Sequence, residues 1–177
     1  MISLILMLVA LIVYIIGFST RHFIDIDEPT YKIHFGLWDA CASISGQTIC
    51  KDTAEGTNVG NKGWFKAWRA TSILGLIFLF AAIICSGLKL FAFKEKKYIL
   101  IAGICMTFAA VVFILIASIV FTHNDDDHFG ALGLYFDYGY SLDLTIVGMC
   151  IAVIAGVFMV VDYNTGLHID DGQVANY

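Results

Sequence analysis

Apolar residues along this chain gather into four long, nearly uninterrupted runs, at about 2–18, 70–93, 98–121 and 144–161. A bilayer core asks for about 20 consecutive apolar residues from a spanning helix. A helix that is apolar around its whole circumference also needs apolar surroundings. The pattern therefore predicts four transmembrane helices in one membrane domain covering residues 1–177. Ser3 is the one clearly polar residue of the first run. A secretory leader is the competing reading, but no basic residue precedes the run. Ser19-Thr20-Arg21-His22 also makes a poor small-residue cleavage site. The run is expected to stay as a helix.

The segments between the runs carry other periods. Residues 19–66 form a long polar loop in which Tyr31-Lys32-Ile33-His34-Phe35-Gly36-Leu37 alternates apolar and other side chains, the period of a half-buried strand. Arg21 to Asp27 alternates similarly, with His22, Ile24 and Ile26 on one side. Residues 55–63 are turn chemistry. A small sheet is expected in this loop. Lys94-Glu95-Lys96-Lys97 makes a tight basic turn between the second and third runs, a shorter loop covers about 122–143, and an acidic tail follows from 162.

Composition sharpens the membrane reading. Hydrophobic residues make up 59% of the chain and charged residues 14%, with a mean hydropathy of +0.83. Soluble domains carry about 25% charged residues. Membrane lipids are thus the expected surroundings. The net charge is -5 and no basic stretch invites nucleic acid. The chain has no Cys-x-x-Cys, Gly-x-Ser-x-Gly, phosphate-binding loop or His-Glu-x-x-His. No catalytic residue, cofactor or metal site is therefore assigned. Charges are nearly absent within the apolar runs, which argues against a transporter.

Three local features have structural readings. Gly148, Ala152 and Gly156 recur every four residues in the last run, a spacing that lets helices approach closely in lipid. Cys85, Cys105 and Cys150 lie in apolar runs and are read as small buried side chains. His123-Asn124-Asp125-Asp126-Asp127-His128 is the candidate metal cluster, but consecutive side chains rarely converge on one ion. Asp125, Asp126 and Asp127, with Asp137 nearby, are read as a solvated acidic loop that concentrates cations electrostatically.

Gly36-Leu37-Trp38-Asp39-Ala40-Cys41, followed after eight residues by Cys50, is the most specific motif. Here the chain resembles the claudin superfamily, which includes peripheral myelin and epithelial membrane proteins, lens intrinsic protein and calcium-channel gamma subunits. Phe23 stands where that family usually has a tryptophan. The resemblance implies a left-handed four-helix bundle with a small extracellular antiparallel sheet. It also implies a Cys41–Cys50 disulfide and an arginine, Arg69, tying the loop to the bundle. The bland readings are two free thiols and an arginine snorkelling at the membrane edge. A disulfide is stable in an oxidising compartment, which with the basic turn places both loops outside and both termini in the cytosol. The implied role is structural, at cell–cell contacts of the plasma membrane, with like molecules in cis or trans as partners. The alternative is an auxiliary subunit of an ion channel. Arg69-Ala70-Thr71-Ser72-Ile73 and Tyr138-Gly139-Tyr140-Ser141 resemble the gamma branch in that respect.

Overall fold

The computed structural model describes residues 1–28, 30–44, 46–56, 60–91, 97–129 and 137–174, with the side chains of 55–56, 125–129 and 166–174 outside that description. Among the described residues, four helices are long and apolar enough to cross a membrane. They are α1 (Ile2–Ser19), α3 (Gly63–Phe91), α4 (Lys97–Phe129) and α5 (Tyr140–Val174), with a single short turn of helix, α2 (Thr53–Gly56), before α3. No more than 33% of the residues in any spanning window are buried within the protein. Many of the others, such as Ile5, Ile12, Ile77, Ile84, Ile119 and Val157, are exposed. In water that surface would be prohibitive; in lipid it is the matching solvent.

The four helices form a closed ring, α1 against α3 and α5, and α4 against α3 and α5. Met7, Ala10, Leu11 and Tyr14 of α1 meet Leu79 and Ala82 of α3, Ala110 and Ile114 of α4, and Ala152 and Ala155 of α5 in one core. The alanines among them, Ala10, Ala82, Ala110, Ala152 and Ala155, let backbones approach closely, as packing in lipid requires. Cys105 and Cys150 are exposed on the lipid-facing side and Cys85 is half-buried. The expectation that all three are buried is therefore corrected. A spanning helix has more lipid-facing than inward-facing circumference, and an apolar run does not reveal which side a residue occupies.

Helix ends extend beyond the apolar runs. α3 begins at Gly63, so Trp64, Phe65, Trp68 and Arg69 are helical. α4 runs on to Phe129, and Asp125, Asp126 and Asp127 continue that helix instead of forming a loop. α5 continues to Val174, through most of the expected tail. Hydropathy marks the part of a helix inside the bilayer, whereas each added residue gains a backbone hydrogen bond wherever the helix lies. The lysine turn before Lys97 lies outside the described residues.

Five antiparallel strands form a sheet in the order β4-β3-β2-β1-β5. They are β1 (Ile24–Asp27), β2 (Tyr31–Phe35), β3 (Asp39–Ile44), β4 (Gln47–Asp52) and β5 (Asp137–Tyr138). Registers Ile24↔Phe35 and Ile26↔Ile33 put one apolar face of β1 and β2 together. That face joins Phe23, Leu37, Phe65, Trp68, Phe121 and Leu142 in a second core at the end of the bundle. His22 departs from the expected side. The helix ends at Ser19 and β1 starts only at Ile24, so alternation does not extend back to His22, which instead meets Asp25 on the opposite, polar face.

Candidate functional site

The Gly-Leu-Trp segment lies where sheet, α1 and α3 converge. Gly36 follows the last residue of β2, and a Cβ placed on it would lie 2.6 Å from the Cα of Arg21. Only glycine lets the segment leaving α1 pass that close. Its N–H donates to the carbonyl of Asp39 at 3.0 Å. Its own carbonyl accepts from the buried Thr53 hydroxyl at 3.1 Å. The Thr53 N–H donates to the carbonyl of Trp38 at 2.8 Å. Thr53 thus closes the turn from the far side of β4, a role no sequence motif marked.

Leu37 is fully buried, and its carbonyl accepts a 3.0 Å hydrogen bond from the Arg69 guanidinium. That guanidinium also lies over the Trp38 ring, 4.5 Å from its centroid. Trp38 also meets Phe18 edge-to-face at 5.3 Å. Asp52 at the end of β4 stands 3.8 Å from Arg69. Arg69 therefore joins α3 to the β2–β3 turn and to the last strand by hydrogen bonding, stacking and charge. Phe23 fills the place of the expected tryptophan. It is buried and meets Trp68 edge-to-face at 5.0 Å and Phe121 at 5.6 Å.

Cys41 and Cys50 are bonded to each other. The β3–β4 register pairs them directly, with Cα atoms 4.0 Å apart, so the bridge cross-links neighbouring strands on one face. The Arg21 guanidinium donates to Cys41 Sγ at 2.9 Å. In α5, the backbone of α1 at Ala10 and Tyr14 lies 3.2 Å from where a Gly148 Cβ would sit. Ala152 is fully buried in the bundle core, and Gly156 faces Thr107 and Phe108 of α4. The stripe is therefore turned inward along its length.

Of the four acidic residues singled out in the sequence, Asp125, Asp126, Asp127 and Asp137, only Asp137 has a described side chain. Asp137 is exposed on β5 opposite Asp25, whereas the side chains of Asp125, Asp126 and Asp127 lie outside the described residues. The candidate metal run from His123 to His128 falls in the last turns of α4, where Asn124 bonds back to the carbonyl of Val120 at 2.8 Å. A different cluster, of His22, Asp25 and His34, brings donor atoms together on the sheet. Sequence reading missed it because strand pairing and a helix exit assemble it.

The model of the PMP-22/EMP/MP20/Claudin family matches residues 1–159 of the chain. No curated protein matches the sequence.

Proposed function

We propose, from the premise that this chain belongs to the PMP-22/EMP/MP20/Claudin family, that it is a structural contact protein of the plasma membrane. In this reading the sheet faces the extracellular space, both termini are cytosolic, and the sheet pairs with like molecules in cis or trans. The role is mechanical and selective rather than catalytic.

The unfinished side of the sheet carries this reading. Ile24, Ile26 and Phe35 are buried against the bundle. The same face continues through Ala42 into Ile44 and Ile49, which are 59% and 61% exposed. All six residues of the edge strand β4 are exposed. An edge strand offers unpaired backbone donors and acceptors to another chain, and here an apolar patch lies beside it. A disulfide and Arg69 hold that edge in a fixed place relative to the bundle. A fixed edge beside an apolar patch suits a partner surface that is itself a sheet.

The test uses cells lacking junctional relatives. Tagged protein accumulates where two expressing cells touch and not where an expressing cell meets a bare one. Ile44→Asp with Ile49→Asp keeps surface levels and loses that accumulation. Uniform distribution of the wild type, with stoichiometric recovery of an ion-channel core, would instead establish the auxiliary-subunit role.

A further inference from the structure

On the polar face of the sheet, pairing lines up Asp25, His34, Cys41 and Cys50 across β1 to β4, with Asp137 of β5 beside Asp25. Directly opposed residues in an antiparallel ladder share a face. His22, in the link between α1 and β1, folds over the same place. Its Nδ1 lies 2.9 Å from Asp25 Oδ1, and the Nδ1 of His34 lies 2.7 Å from that same oxygen. One donor atom from each of the three residues lies within 4.8 Å of the other two.

We propose that His22, Asp25 and His34 form a binding site for a divalent transition cation of the zinc class. Two imidazoles and one carboxylate favour zinc or copper over calcium or magnesium, which take oxygen ligands. Zinc–nitrogen bonds of about 2.0–2.1 Å set ligand atoms roughly 3.3 Å apart in a tetrahedral site. The two Nδ1–Oδ1 separations, 2.9 and 2.7 Å, lie within about 0.6 Å of that value. Three protein ligands leave one position for water or for a donor from another molecule. Access is open, because the side chains of His22, Asp25 and His34 are 28%, 26% and 30% exposed.

The surroundings hold the ligands in place. The Tyr140 ring stacks on His22 at 4.8 Å with an interplanar angle of 27°. The His22 backbone N–H donates to the Ser141 hydroxyl at 3.2 Å, and the Asp25↔His34 register fixes the other pair. Supports of this kind orient metal ligands before the ion arrives. Arg21 is the opposing charge, yet its guanidinium is drawn to the disulfide, beyond His34 in the row. The exposed carboxylate of Asp137 flanks the other side and offsets it. A bound ion would clamp the exit of α1 to β1 and β2. The site is independent of the contact role.

Metal-stripped full-length protein in detergent is titrated calorimetrically with zinc chloride, and separately with calcium chloride. One equivalent of zinc binds per chain and raises the melting temperature, while calcium at the same concentrations does neither. His22→Gln and His34→Gln each weaken zinc binding at least about tenfold, the loss that even outer-shell changes produce. His123→Gln, outside the cluster, binds as the wild type does. Asp25→Asn keeps a hydrogen-bond acceptor and the sheet, shown by an intact Cys41–Cys50 bridge, and loses the zinc-induced shift. Absence of zinc binding by the wild type, or full binding by the His22→Gln, His34→Gln double variant, overturns the proposal.

Discussion

Arg69 shows how much of the assembly rests on single side chains. Its guanidinium donates to the Leu37 carbonyl and covers Trp38, while its Nε is buried without a hydrogen-bond partner among the described residues. Lysine keeps the charge but not the planar fork that does both. Arg69→Lys is therefore expected to lower stability by about 1–3 kcal/mol, the scale of a lost charged hydrogen bond at a partly buried site. Thermal unfolding in detergent measures it, and Arg69→Ala should fall further. A melting temperature for Arg69→Lys equal to wild type would show that position, not chemistry, matters there. Gly36→Ala tests close approach instead. Its Cβ would collide with the Arg21 backbone, so the segment leaving α1 must shift and surface delivery should drop. Glycine and arginine here were legible from the motif, but Thr53 was not, because a single threonine has no period or spacing to betray it.

Between elements, two couplings carry the fold. The first is the Cys41–Cys50 bridge within the β3–β4 hairpin. A short closed loop of this kind contributes about 2–3 kcal/mol in the chain-entropy account. Cys41→Ala should therefore be retained inside the cell, while mass mapping of the wild type finds Cys85, Cys105 and Cys150 alkylated without reduction. Normal surface levels for Cys41→Ala would remove the bridge from the account of folding. The second is the α1–α5 contact at Gly148. Gly148→Leu would push a side chain into the α1 backbone at Ala10 and Tyr14, and should destabilise the bundle more than Ile146→Leu, a lipid-facing change. Sequence foretold the helices because bilayer thickness imposes a long apolar run. It misjudged their ends, since helices outlast the bilayer, and it placed Cys105 and Cys150 inside. Strand β2 was legible from alternation, whereas the exposed β4 offers no apolar alternation to read.

For the whole molecule, both helix–sheet arrangement and chemistry point the same way. The ends of α1 and α4 and the starts of α3 and α5 meet under the sheet, and Met1, Lys89, Lys97 and Asp162 line one pocket at the opposite end. With the sheet outside, as proposed, epitope tags near Gly60 should stain on intact cells, and tags after Tyr177 only after permeabilisation. Staining of the second tag on intact cells would reverse the orientation. Family and architecture were readable because spacing, loop order and apolar runs are all written along the chain. The His22, Asp25 and His34 cluster was not, because it exists only once β1 and β2 pair. The central claim, that a fixed sheet edge recognises a like surface, is tested most directly with purified protein reconstituted into vesicles. Light scattering then follows clustering as protein density rises. The account predicts clustering by the wild type, and none by the Ile44→Asp, Ile49→Asp variant whose disulfide is intact. Wild-type vesicles that stay dispersed at every density, with the sheet folded and facing outward, would contradict it.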